Sequence, residues 1–90
     1  MHRYLVERSF SAELPLPNPD QDPAAFLAVI ENNACDGVTW LHSYIVPDRQ
    51  KSFCICDAPN PEAVRRAAQR NRWPVDRISE VRVLDPYYSA

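Results

Sequence analysis

His42 is the only internal histidine of the chain, and the run VTWLHSY (38–44) places it two residues from Trp40 and two from Tyr44. Side chains two apart on a strand leave the same face, so the three rings are expected on one surface. An imidazole can bind a metal or move a proton near neutral pH. Beside a carboxylate it suits a borderline divalent ion such as nickel, zinc or copper; a thiolate would shift the preference toward zinc or copper(I). Glu7 in the first strand, and Cys54 or Cys56 in the third, are the groups able to stand next to it. A lone histidine on a sheet also serves as an interface residue hydrogen-bonded to a partner. On these residues alone both readings stay open.

Other polar residues offer weaker signals. Glu7 and Arg8 are expected to cross-pair with Glu80 and Arg82 as structural salt bridges, the alternative being that Glu7 and Glu80 surround a cation. His2 lies beside the amino terminus, where an amine and an imidazole together can chelate nickel or copper. Asp48, Asp57 and Asp85 fall at turns or strand ends, the usual place of structural acceptors. Three cysteines are an odd number, so no complete internal disulfide framework is available. Cys54 and Cys56, at C-x-C spacing, and Cys35, near a helix end, read first as small buried hydrophobes. The chain contains no nucleophile–base pair, P-loop, Rossmann glycine pattern, Cys-x-x-Cys zinc knuckle or RNA-recognition strand.

The elements that must position these groups fit one domain, residues 1–90, near the lower size limit for a self-sufficient core. With 46% hydrophobic and 24% charged residues the composition is that of a folded protein. A net charge of −2 argues against a nucleic acid or an anionic membrane as partner. The absence of a long apolar run or a signal-like core points to the cytoplasm.

Arg3–Phe10 has the β-branched and aromatic content of a strand. Glu13–Pro23 holds four prolines and must be an extended loop. Asp22-Pro23 then opens a helix, with the aspartate as cap and the proline at the first helical position. Its apolar stripe is expected at Phe26, Leu27, Ile30 and Ala34, with Gly37, the single glycine, at its exit. Val38–Val46 and Ser52–Asp57 form a hairpin. Asn60-Pro61 repeats the opening device for a second helix, whose inner stripe is Val64, Ala67 and Ala68; Arg65, Arg66, Gln69, Arg70 and Arg72 face solvent. Trp73-Pro74 ends it, and Ile78–Leu84 is the fourth strand.

The order β-α-β-β-α-β is the ferredoxin-like α+β plan: a four-stranded antiparallel sheet with both helices on one face. Val6, Leu41, Ile45, Phe53, Ile55, Val81 and Val83 are expected on the helix side. Leu5, Glu7, Trp40, His42, Tyr44, Cys54, Cys56, Glu80, Arg82 and Leu84 are expected opposite. That second face is too apolar for water, which predicts a homodimer built on it. The assignment depends on the hairpin. A five-residue connection, Pro47–Lys51, sets Tyr44 against Cys54 and keeps Phe53 and Ile55 in the core. A four-residue one would set Tyr44 against Phe53. The five-residue connection is the expectation.

RYLVERSF at the start, VTWLHSY, the SFCICDAPNPEAVRRAAQRN block and PVDRISEVRVLDPYY at the end together resemble one known family. These are small bacterial ferredoxin-like proteins, grouped as a domain of unknown function and labelled nickel-binding or nickel-responsive. The resemblance covers nearly the whole chain outside the proline-rich loop. It implies a homodimer that binds nickel, with zinc or copper as alternatives, for sequestration or homeostasis. The matching positions that carry over as metal ligands are Glu7 in VERSF and His42 in TWLHSY. Relatives carry tyrosine as a common alternative at the position of Cys56, so the resemblance implies oxygen and nitrogen rather than sulfur ligands. Two other readings stand beside it: an enzyme of the dimeric ferredoxin-like α/β-barrel type with His42 as general acid or base, and a plain dimerisation module.

Overall fold

A computed structural model describes residues 1–11, 19–48 and 50–88. Its elements are β1 (His2–Ser9), α1 (Pro23–Ala34), β2 (Thr39–Ile45), β3 (Lys51–Ala58), α2 (Pro61–Asn71) and β4 (Arg77–Glu80). The sheet order is β2-β3-β1-β4, with every pair antiparallel. This is the expected ferredoxin-like arrangement. Of the proline-rich loop expected at Glu13–Pro23, residues 12–18 lie outside the described ones. Among the described residues no helix is long and apolar enough to cross a membrane.

Both helices start where their caps dictate. The Asp22 side chain accepts from the Ala25 N–H at 3.0 Å, and the Asn60 side chain accepts from the Ala63 N–H at 2.9 Å. Each cap satisfies a donor that the helix cannot, and such caps contribute about 1 kcal/mol. Gly37 supplies the left-handed turn after α1 (φ 71°). After α2 that conformation falls to Arg72 (φ 58°), while the Trp73 N–H closes onto Ala68 O at 2.9 Å. A left-handed non-glycine residue costs roughly 1–2 kcal/mol. The greater freedom of glycine in the unfolded chain takes back part of that gain. Arg72→Gly is therefore expected to stabilise the protein by about 0.5–1 kcal/mol, measured as a higher urea midpoint at unchanged slope.

The helices meet through polar ladders as well as apolar contact. The Asn32 amide donates to Asn71 Oδ1, and the Asn71 amide donates to Asn33 Oδ1, both at 3.0 Å. Docking this way turns Val29 and Asn33 inward and leaves Leu27, Ile30 and Ala34 exposed. The stripe expected at Phe26, Leu27, Ile30 and Ala34 is thus rotated, and of its members Phe26 packs inward, against Trp40. The α2 stripe is as expected, with Ala63 added.

Beyond α1, Asp36 accepts from Arg66 Nε at 3.0 Å and from Arg70 Nε at 2.9 Å; both arginines lie on the solvated face of α2, as expected. The Arg70 hydrogen bond is the main reason the Asp36 carboxyl sits below the usual carboxylate range. A carboxyl depressed in the folded state adds stability above its unfolded pKa and loses it as pH falls through the folded one. Below about pH 4 the wild type is therefore expected to lose more stability than Asp36→Asn, as followed by urea midpoints between about pH 5 and pH 2.

The core gathers Tyr4 and Val6 from β1, Cys54, Cys56 and Ala58 from β3, and Ala63, Val64 and Ala67 from α2, with Val38 at the start of the hairpin. Small residues on α2 let it approach the sheet closely, and small residues on β3 fill the gap. Phe53 and Ile55 are too large for that layer and face away from it. The hairpin accordingly uses the four-residue connection: Val46 N–H bonds to Lys51 O, and Tyr44 lies opposite Phe53. The expected pairing of Tyr44 with Cys54 is corrected, and His42 pairs with Ile55. A bulge between Trp40 and His42 then restores the inward direction at Trp40, which pairs with Cys56. β4 is also shorter than expected: Val83 and Leu84 run past its end, with Leu84 95% exposed.

Candidate metal-binding face

The face opposite the helices is built in rows by the strand register. His42, Ile55, Leu5 and Ser79 form one row across β2, β3, β1 and β4. Tyr44, Phe53, Glu7 and Arg77 form the next. The Asp57–Arg3 pair lies beyond the first row. Burial alternates in agreement: Tyr4, Val6 and Arg8 are buried, while Leu5 and Glu7 between them are not.

His42 is exposed on the edge strand, its ring standing edge-on to that of Tyr44 with centroids 5.3 Å apart. Glu7, half-buried, lies on the same face, and among the described residues it has no ion pair. The structure thus brings the two sequence-predicted ligands to one surface. It does not bring them together. The β3 residues Ile55 and Phe53 stand between them, and two strand spacings put them about 10 Å apart across the sheet. Ligand atoms lie roughly 2 Å from a bound first-row metal, so one ion could take both only if the two side chains reached toward each other over Ile55 and Phe53. Among the described residues no cluster of three His, Cys, Asp or Glu side chains converges.

Other expected neighbours are elsewhere. Cys54 and Cys56 are buried on the helix side, not beside His42, and burial pushes the Cys56 thiol up to about 11. Trp40 also turns inward, between Phe26 and Trp73 (centroids 5.5 and 6.1 Å), with its indole N–H on Ser43 Oγ at 2.8 Å. The shared face of three rings is therefore reduced to His42 and Tyr44. Glu80 pairs in register with Tyr4, which places it on the helix side and away from Glu7, so these two carboxylates do not surround one cation. Nor do Glu7 and Arg8 pair with Glu80 and Arg82 among the described residues: Arg8 points into the core, and Glu80 meets His2 (Nδ1–Oε1 3.4 Å).

Asp57 is a carboxylate whose position the sequence undervalued, one row from His42 on the open face. It is already engaged, with Arg3 Nε and Nη2 at 2.9 and 3.3 Å. That hydrogen-bonded pair is also the main reason its carboxyl lies below the ordinary range. No local pattern in the sequence announces a contact between residues 3 and 57; only the strand register creates it.

Fold and surface together define a ferredoxin-like α+β protein whose candidate site is an uncovered sheet face with one imidazole and separated carboxylates. Within that class, the chain belongs to the SCO4226-like family, described as nickel responsive, which it matches over residues 4–81. This agrees with the resemblance read from VERSF, TWLHSY and DAPNPEA. Among solved structures the chain is similar to SCO4226 from Streptomyces coelicolor A3(2), with 20% identity and a TM-score of 0.70 over 92% of this chain and 99% of that one. At that identity the likeness establishes the fold. No curated protein matches.

Proposed function

We propose that this protein binds nickel, as a non-enzymatic carrier for sequestration or homeostasis, through His42 as imidazole ligand and Glu7 as carboxylate ligand. The observation that carries the reading is their placement: both stand on the one sheet face that the helices leave uncovered. Membership of a family described as nickel responsive favours nickel among the borderline ions that a nitrogen and oxygen set accepts, with zinc and copper next. The Cys54 and Cys56 thiols take no part, since both are on the other side of the sheet.

The separation of His42 from Glu7 and the apolar side chains between them lead to a homodimer. Leu5, Phe53 and Ile55 make this face poorly suited to water, and an isologous contact between two copies would cover it. Such a contact would bring ligands of a second copy within reach of those of the first, and water would complete the shell. The protein acts in the cytoplasm on this reading, where its three free cysteines stay reduced.

Calorimetric titration with nickel, zinc and copper, alongside sedimentation of the same samples, tests it. The expected result is saturable binding of nickel by a dimer, lost in His42→Ala and retained in His2→Ala. Undetectable nickel binding, or binding unchanged by His42→Ala, removes the reading.

A further inference from the structure

Arg8 is a charged residue that the fold buries. It is 6% exposed, on the helix side of β1 near the end of α2. One terminal nitrogen, Nη1, donates to Pro74 O at 2.8 Å, and the guanidinium carbon lies 5.2 Å from the centre of the Trp73 ring. Its Nε–H is buried with no acceptor. Among the described residues no carboxylate comes within ion-pair distance of it. A buried donor left unmade is rare, and a buried charge without a counter-charge is rarer still.

A cavity lies against this group, with about 20 Å³ open to the centre of a water-sized occupant. That is room for one small particle, at most two. Arg8, Asn33, Cys54, Cys56, Trp40 and Trp73 are among its walls. Among their described atoms, the buried donor left without an acceptor is Arg8 Nε. The Asn33 carbonyl is taken by Asn71, which leaves its NH2 group to donate, and the Trp40 N–H is spent on Ser43. Burial holds the Cys56 thiol neutral, its pKa pushed up to about 11, so Cys56 supplies no negative charge at neutral pH. The cavity therefore has one unpaired donor, one positive charge and a wall that is largely apolar and aromatic.

We propose that this cavity is a binding site for one small monovalent anion, of the size of chloride or bromide, held by Arg8 Nε–H. A water molecule would fill the same volume and accept from Nε, but it would leave the guanidinium charge uncompensated in a low-dielectric interior. The site lies on the opposite side of the sheet from His42 and Glu7 and stands independently of the nickel reading.

The test uses metal-free protein. Crystals grown or soaked in bromide are measured at the bromine absorption edge; the expected result is an anomalous peak in the cavity within hydrogen-bonding distance of Arg8 Nε. In solution, replacing gluconate by chloride at constant ionic strength is expected to raise Tm by about 4–8 °C once chloride exceeds its Kd several-fold. Arg8→Met is expected to abolish that dependence. A cavity that is empty or holds only water in the bromide crystals overturns the proposal, and so does a chloride effect of equal size in Arg8→Met. The crystal experiment stands on wild-type protein alone, so a variant that fails to fold does not shelter the proposal.

Discussion

His42→Ala is expected to lower nickel affinity by about 100-fold or more, equivalent to about 2.7 kcal/mol, in calorimetric titration. Among the described residues His42 is the one imidazole on the open face, and removing it leaves carboxylates that hold a borderline ion far less well. The fold should hardly register the change. His42 is exposed on an edge strand, and its one ring contact is with Tyr44, itself exposed. A surface substitution of this kind moves stability by about 0.5 kcal/mol, and loss of the edge-on ring contact adds at most about 1 kcal/mol. Circular dichroism and urea midpoints near those of wild type would therefore accompany the lost binding. A variant that binds nickel as well as wild type would mean that the open face is not the metal site, whatever the family does elsewhere.

Trp40→Ala is expected to do the reverse. Trp40 is two residues from His42, yet the bulge turns it to the other side of the sheet, where it joins Phe26 and Trp73. Truncating an aromatic at such a junction costs about 3 kcal/mol, the low end of the usual range because Trp40 is only partly buried. In a domain of this size that lowers Tm by about 12–24 °C. A 90-residue protein has about 5–13 kcal/mol of stability in all, so the variant should still fold at low temperature. There it should bind nickel much as the wild type does. If Trp40→Ala instead lost nickel and kept its stability, the bulge would be misplaced and the two residues would share a face.

The two variants together test one structural fact, the change of face between positions 40 and 42. That fact was not legible in the chain. Alternation of side chains along a strand is a local property and was read correctly over β1, where Val6 faces the helices and Leu5 and Glu7 face away. Transferring it across a hairpin requires the loop length and every bulge, and a single extra residue reverses each later assignment. The expectation that Phe53 and Ile55 were core rested on their hydrophobicity. In the folded protein the size of the gap under α2 decides instead, and Cys54, Cys56 and Ala58 fit it. The same holds for α1, where the apolar stripe at Leu27 and Ile30 lost to the orientation set by the asparagine ladder with α2.

By itself the sequence determined the order of elements, the starts of both helices and the family. Each rests on near-neighbour chemistry or on whole motifs: Asp22-Pro23 and Asn60-Pro61 cap and open helices wherever they occur, and DAPNPEA or TWLHSY need no folding to be recognised. It also singled out His42 as the candidate imidazole on the sheet. Only the tertiary structure decided what surrounds His42. It moved the cysteines and Trp40 to the helix side, set Glu7 on the same face but beyond β3, and bound Asp57 to Arg3. The reason is that a side chain's neighbours across a sheet depend on register, and register is settled by how well the far layer packs.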